Sequence, residues 1–180
     1  MVSSTNGGYY FAGLSSQNNT WTASYTNMAA SPITLDYWDG SSWQTIARDE
    51  ENDGTYPSWT VPSRHISNSN LKVYAVVKAS NSNYDESDAD FTIDSILPIA
   101  TVSSPNGSEY FAGGSSQTIT WTASDTNMAI NPITLEYWDG SSWQTIATNE
   151  DNDGTYQSWT VPSPDISNAN LTVTAVDKAS

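Results

Sequence analysis

The stretch ITLEYWDGSSWQTIA, which runs from Ile133 to Ala147, decides the fold class of this protein. Its first half alternates apolar and polar residues, so Leu135 and Tyr137 share one face of an extended chain with the first isoleucine. The segment DGSS supplies turn residues, and SSWQTIA returns in the opposite direction. We therefore predict a β-hairpin with one buried face, on whose outward face Trp138 and Trp143 stand opposite each other.

The same hairpin sequence occurs one repeat earlier, because the chain is a tandem duplication. Shifting the sequence by 100 residues aligns Val2–Ser80 with Val102–Ser180 at 59 identities in 79 positions, without a gap. A repeat of this size indicates one structural unit that is used twice. We place the two domains at residues 1–97 and 98–180.

The two copies differ in length, because the first continues beyond Ser80 through NSNYDESDADFTIDSILPIA. In this tail the segment DADFTID, Asp88 to Asp94, alternates Phe91 and Ile93 with polar residues and predicts a final strand. The second copy has no counterpart of it in this sequence. Three explanations stay open: an interrupted longer array, which we favour, a degenerate copy, or a strand supplied by another chain.

The second copy contains six predicted strands, separated by Gly, Asn, Asp, Ser and Pro, and shows no helical periodicity. They lie at residues 100–105, 116–124, 132–138, 141–147, 154–162 and 170–178. With the tail strand of the first copy, each complete unit has seven short strands. This number and spacing predict an all-β protein of two tandem immunoglobulin-like (fibronectin type III-like) β-sandwich domains, the second lacking its final strand.

The sequence resembles a known class of repeats. Trp121 on the second strand, with alternating apolar residues on the sixth, resembles fibronectin type III modules. The wider pattern of SPNGSEYFAGGSSQTITWTAS, ITLEYWDGSSWQTIA and SWTVP resembles the bacterial immunoglobulin-like repeats of large extracellular proteins. The resemblance implies a fold and an extracellular or cell-surface context, and it carries no shared catalytic motif.

Charge and composition exclude several partners. The chain has 20 acidic and five basic residues, and the formal net charge of −15 repels nucleic acid and anionic lipid. No apolar run is long enough for a membrane helix, and there is no cysteine for a disulfide. The N-terminal MVSSTNGG lacks the features of a signal peptide, so an export signal is expected outside these residues. We expect neither nucleic-acid binding nor membrane insertion.

The paired tryptophans of the two hairpins, Trp38 with Trp43 and Trp138 with Trp143, have two interpretations. A cross-strand aromatic pair stabilises a hairpin by roughly 0.2 to 1 kcal/mol, which makes the pair a structural clasp. Alternatively, exposed indole faces suit stacking on a sugar or contact with a partner protein. We favour the clasp and keep the glycan contact as the alternative.

The loop that follows each hairpin is acidic and has the pattern [DN]x[DE]xDG, which is the first half of a calcium loop. The candidate ligands are Asp49, Glu51 and Asp53 in the first copy and Asn149, Asp151 and Asp153 in the second. The twelfth position is threonine in both copies, where a bidentate glutamate is expected. A plain acidic turn is favoured, calcium is the alternative, and no cofactor is required.

Catalysis is not expected. His65 is the only histidine, and Asp165 replaces it in the second copy, so the repeats share no histidine-dependent site. The chain has no cysteine, no GxSxG motif, no phosphate loop and no HExxH motif.

One departure between the copies affects the predicted core. Asn19 occupies the position of Ile119, on a face that should be buried. Either that corner of the first copy is open, or the amide is paired with backbone, and we expect a local loss of stability.

Together these features predict a non-catalytic repeat of a long extracellular protein, which acts as a stalk or spacer in adhesion, surface-layer or filament assembly. Its expected partners are neighbouring repeats or copies of itself, glycans, or another surface protein. The alternative is a carbohydrate-binding or accessory module of a secreted hydrolase.

Overall fold

The computed structural model of the chain describes residues 1–3, 6–163 and 165–179. The chain divides into two compact units, Met1–Ser95 and Ile96–Lys178. All regular structure in the described residues is β-strand. Within these residues the structure contains no helix with the length and apolar character needed to cross a membrane.

The described part of the first unit contains nine strands. They are β1 Tyr10–Ala12, β2 Ser16–Thr20, β3 Met28–Trp38, β4 Trp43–Glu50, β5 Thr55–Thr60, β6 Ile66–Ser69, β7 Leu71–Val77, β8 Ser82–Glu86 and β9 Phe91–Asp94. The second unit contains six strands in its described part. They are β10 Ile99–Ser104, β11 Ser116–Ser124, β12 Met128–Trp138, β13 Trp143–Glu150, β14 Thr155–Thr160 and β15 Asn170–Asp177.

The first unit is built from three sets of paired strands. An antiparallel sheet has the order β4-β3-β7-β8, and β2 pairs with β5. Strand β9 lies between β1, to which it is parallel, and β6, to which it is antiparallel. The second unit repeats the first two sets, with the orders β13-β12-β15 and β10-β11-β14. The predicted β-sandwich fold is therefore confirmed.

One hydrophobic core occupies the interior of the first unit. It is formed by the alternate inward residues that the sequence pattern predicts, including Ile33 and Leu35 of β3, together with Phe91 and Ile93 of β9. Phe91 and Ile93 are only 1% and 0% exposed. Strand β9 is thus a central core strand of this unit.

The second unit has a smaller fully buried core. The residues that remain buried are Ile119, Trp121, Ile133, Leu135 and Val173. Several residues of the first core have identical counterparts that are only partly buried in the second. These counterparts are Trp159, Val161, Ile166 and Leu171. The difference arises because no segment among the described residues of the second unit occupies the place of β9.

The sequence analysis missed three strands of the first unit, namely β1, β6 and β8. The tail of the first copy therefore holds two strands, β8 and β9, where the sequence predicted one. The hairpin also contains an irregularity that the alternation does not predict, because a bulge pairs Leu35 with Ala47. Below this bulge, Trp38 still pairs with Trp43.

Of the two alternatives predicted for Asn19, an open corner is wrong. Asn19 is 0% exposed, as is Ile119 at the equivalent position. The first unit thus buries an amide where the second buries a hydrocarbon side chain.

Candidate functional site

The two tryptophans of each hairpin contact each other. Trp38 and Trp43 are cross-strand partners whose ring centroids lie 5.6 Å apart at an interplanar angle of 63°. Trp138 and Trp143 have the same edge-to-face arrangement at 5.7 Å and 63°. This geometry is the preferred one for an aromatic pair, because the positive ring edge meets the negative ring face.

The turn between the tryptophans is organised by one aspartate. Oδ1 of Asp39 accepts hydrogen bonds from the backbone amides of Ser41 and Ser42 at 2.9 and 2.8 Å, and from the Ser41 hydroxyl at 2.8 Å. The side chain of Gln44 donates to Oδ2 at 3.1 Å. The Ser41 hydroxyl and the two amides hold the pKa of Asp39 at about 2. The carboxylate is thus a structural group of the turn.

The second unit repeats this turn. Asp139 accepts hydrogen bonds from Ser141, Ser142 and Gln144 in the same arrangement. The Ser142 amide, the Ser141 hydroxyl and the Ser141 amide lower the pKa of Asp139 below its ordinary value. Sequence reasoning identified the turn in both copies.

A buried lysine covers the tryptophan pair of the first unit. Lys72 Nζ lies 3.8 Å from the centre of the Trp43 ring and 4.7 Å from that of Tyr84. It also forms an ion pair with Glu86 Oε1 at 2.7 Å. Burial by itself would lower the pKa of Lys72, but the hydrogen bond to Glu86 and the nearby Tyr74 and Glu86 outweigh burial and raise this pKa. The lysine therefore stays charged, and its ammonium occupies a face of Trp43.

The second unit presents its tryptophan pair differently. Thr172 stands in the place of Lys72, and the sequence contains no counterpart of β8, which carries Tyr84 and Glu86. Trp143 is accordingly 45% exposed, whereas the side chain of Trp43 is less exposed. Of the four predicted contact residues, Trp143 offers the most accessible indole.

The acidic loops hold a buried tryptophan in both units. Trp21 Nε1 donates a hydrogen bond to Asn52 Oδ1 at 3.2 Å, and Asn52 Nδ2 donates to the Ala23 carbonyl at 2.8 Å. The equivalent bonds around Asn152 measure 3.2 and 2.9 Å. Gly54 has a φ of 91° and approaches the Trp21 carbonyl so closely that a Cβ would lie 3.2 Å from it.

The six predicted calcium ligands are exposed side chains, of which Asp49 and Asn149 lie on β4 and β13 and the other four lie in the loops that follow. Asp53 Oδ1 and Asp153 Oδ1 each accept a hydrogen bond from the amide two residues on, at 3.0 Å. Calcium binding stays a prediction. A calcium-dependent rise in melting temperature that is lost when Asp151 and Asp153 are both changed to Asn would support it, and no response of the intact chain would contradict it.

The single histidine also lies in a structural contact. His65 Nδ1 is 3.1 Å from Asp94 Oδ1, next to the end of β9. The second unit has Asp165 at the position of His65.

Comparisons with known proteins concern the fold. No protein-family model matches the chain, and no curated protein matches it. Among solved structures, the chain is similar to the fibronectin(III)-like modules of Clostridium thermocellum CbhA, with a TM-score of 0.50 and 19% sequence identity. The similarity covers 99% of this chain and 86% of that one. The chain has a fibronectin(III)-like fold.

Sequence reasoning missed one feature of the second fibronectin(III)-like unit, which is a groove of about 770 Å³. It is bounded by residues 108–113 on one side and by residues 161–163 and 165–169 on the other, and Tyr137 and Trp159 also line it. The signal that reveals it is the length difference between the copies, combined with the alternation of Phe91 and Ile93 in the longer one.

Proposed function

We propose that the chain is a non-catalytic structural repeat of a larger extracellular protein, in which the fibronectin(III)-like units act as a stalk or spacer. The observation that carries the proposal is the identical geometry of the two tryptophan clasps. The pairs keep centroid distances of 5.6 and 5.7 Å although Lys72 covers one of them and Thr172 lies at the equivalent place beside the other. Their geometry is therefore set by the hairpin itself.

The other candidate groups support the same proposal. The turn aspartates, the loop asparagines and His65 all have protein partners. Carboxylates that accept several hydrogen bonds from their own turn are poor proton acceptors near neutral pH, because those bonds stabilise the charged form. The acidic surface would keep a long array soluble and extended.

The competing proposal is a carbohydrate-binding or accessory module of a secreted hydrolase. The observation that favours it is the 45% exposure of Trp143. An exposed indole face can stack on the C–H face of a pyranose ring.

Glycan binding by the full chain separates the two proposals. We expect no saturable response on a panel of soluble polysaccharides, followed by tryptophan fluorescence and a glycan array. Binding that is lost in Trp143→Ala and retained in the matched variant Trp43→Ala would overturn the stalk proposal. A second experiment tests the stalk proposal itself. When single molecules are stretched from their two ends, we expect discrete unfolding steps. Extension without resistance would contradict a load-bearing spacer.

A further inference from the structure

Asn170 begins strand β15 of the second unit, on the face of the sheet that carries the tryptophan pair. The register pairs Asn170 with Trp138, which is itself paired with Trp143. Directly opposed residues of an antiparallel sheet share one face, so these three side chains form a row across three strands. Because neighbouring strands lie about 4.8 Å apart, Trp143 is roughly 10 Å from Asn170 along this row.

The sequence Asn170-Leu171-Thr172 is an acceptor triplet for N-linked glycosylation. Alternate residues of an extended strand share a face, so the Thr172 hydroxyl lies on the same side of the sheet as the Asn170 amide. Oδ1 of Asn170 accepts a hydrogen bond from the backbone amide of Leu171 at 2.8 Å. This bond does not use Nδ2, which is the atom that carries the sugar in an N-linked glycan. The strand therefore presents the two groups of the acceptor triplet on the face of the tryptophan pair.

One substitution between the units both creates this triplet and uncovers the tryptophans. The first unit has Asn70-Leu71-Lys72 at the same place, which is not an acceptor triplet. There the Lys72 ammonium lies 3.8 Å from the centre of the Trp43 ring. The side chain of Thr172 is too short to reach the equivalent ring in this way. The second unit thus has an acceptor for a sugar where the first has a cover for its indole.

The row beside Asn170 suits a sugar. Trp143 is 45% exposed, and the centroids of the Trp138 and Trp143 rings lie 5.7 Å apart. The C–H face of a pyranose ring is weakly positive and stacks on the negative face of an indole. In the next row Glu136 pairs with both Thr145 and Thr172, and its carboxylate can accept hydrogen bonds from sugar hydroxyls. Stacking surface and polar groups therefore lie side by side.

Two other acceptor triplets lie elsewhere in the chain, at residues 18–20 and 106–108. Oδ1 of Asn18 accepts a hydrogen bond from the Thr55 hydroxyl at 2.8 Å, on β2. Asn106 lies outside the strands. Neither is a cross-strand partner of a tryptophan in the described residues. The tryptophan pair therefore distinguishes Asn170 from these two asparagines.

We propose that Asn170 carries an N-linked glycan whose sugars pack on Trp138 and Trp143. The new bond joins Nδ2 of Asn170 to the anomeric carbon of an oligosaccharide that is supplied as a polyisoprenyl diphosphate. Nδ2 loses a proton, and the lipid diphosphate leaves with the electrons of the broken C–O bond. The glycan covers the tryptophan pair of the second unit, as Lys72 covers that of the first. This inference rests on the proposed extracellular location, because the transferases that use such donors act on exported chains.

The proposal is tested with the full chain behind an export signal, made in a secreting cell that has the transferase. Asn18→Gln and Asn106→Gln leave Asn170 in the only acceptor triplet of the sequence. We expect mass spectrometry to find a glycan on Asn170 in this background. Thr172→Lys, which introduces the residue of the first unit, should abolish the modification. Thr172→Ser keeps the hydroxyl and should retain it.

Acrylamide quenching tests the stacking on the tryptophans. The glycosylated chain should show weaker quenching of tryptophan fluorescence than Asn170→Gln made in the same cell. Trp143→Ala should remove this difference, and the matched Trp43→Ala should preserve it. The second unit should also melt a few degrees higher with the glycan than in Asn170→Gln.

Two outcomes would overturn the proposal. One is an unmodified Asn170 in a cell that glycosylates a secreted control protein. The other is a glycan that leaves quenching unchanged, or that reduces it equally in Trp143→Ala. A failure here stays distinct from a failure of the stalk proposal, because stretching Asn170→Gln should still give discrete unfolding steps.

Discussion

At the scale of single residues, Asp39 and Asp139 determine how the hairpins close. Each carboxylate accepts three hydrogen bonds at one oxygen from the two serines that follow it. These bonds exist only in the folded state and favour the charged form, so the pKa of Asp39 falls from 3.8 to about 2. When folding lowers the pKa of a carboxyl group, that group stabilises the protein at pH values above the pKa that it has in the unfolded chain.

The first prediction concerns the pH dependence of Asp139→Asn. The stabilisation by the charged Asp139 should be fully present above about pH 4 and decline as the pH falls below that value. The variant should therefore melt at a lower temperature than the wild type at pH 7, and the difference should shrink towards pH 2. Calorimetric scans at several pH values measure this. Asp151→Asn, on an exposed loop, is the control for loss of charge, and a pH-independent difference for Asp139→Asn would contradict the assignment.

The second prediction concerns the buried position shared by Asn19 and Ile119. Changing Ile119 to Asn removes a fully buried isoleucine from the second unit and buries an amide there. The unfolding free energy of that unit should fall by about 2–4 kcal/mol. Urea titration measures the change. A loss of less than half a kilocalorie would show that the second unit relaxes around the amide, which contradicts a rigid core at this position.

At the scale of elements, identical sequences form different structures in the two units. The segment YFA is β1 in the first unit and irregular in the second, because β-structure in a short segment depends on the strand that pairs with it. Period-two alternation predicted β11, β12 and the tryptophan hairpins correctly. Strands β1, β6 and β8 are short or polar and have no such pattern, so only their tertiary partners define them.

The candidate site follows the same logic. The sequence predicted that Trp38 and Trp43 are cross-strand neighbours, since turn length and alternation set the strand register locally. The cover over Trp43 was not, because Lys72, Tyr84 and Glu86 come from β7 and β8, whose pairing the sequence pattern did not reveal.

The third prediction tests that cover. Lys72→Thr introduces the residue of the second unit and removes both the ammonium on Trp43 and the ion pair with Glu86. The first unit should lose about 1–2 kcal/mol, and acrylamide should quench its tryptophan fluorescence more strongly. Thr172→Lys is the matched control, and it should gain little because the second unit has no counterpart of Glu86 in this sequence. Unchanged quenching in Lys72→Thr would contradict the cover.

At the scale of the molecule, the two units share a fold but differ in the completeness of their cores. Burial of Phe91 and Ile93 stabilises the first unit by about 3–6 kcal/mol, which is an upper estimate from transfer free energies. The second unit has the same lining without these side chains.

The fourth prediction follows from this difference. Chemical denaturation of the full chain should show two transitions, and the second unit should unfold at the lower denaturant concentration. Phe91→Ala should lower the unfolding free energy of the first unit by about 3–5 kcal/mol, and its transition should move to lower denaturant concentration. The transition of the second unit should stay unchanged. A single transition in the wild type, with both units equally affected by Phe91→Ala, would contradict it.

Native-state hydrogen exchange tests the central claim most directly, because the chain carries its own internal control. The claim is that two nearly identical fibronectin(III)-like units differ at the place of β9. Amides of residues 10–12 and 66–69, which pair with β9, should exchange slowly, whereas those of residues 110–112 and 166–169 should exchange fast. Equal protection of the two sets would contradict the account.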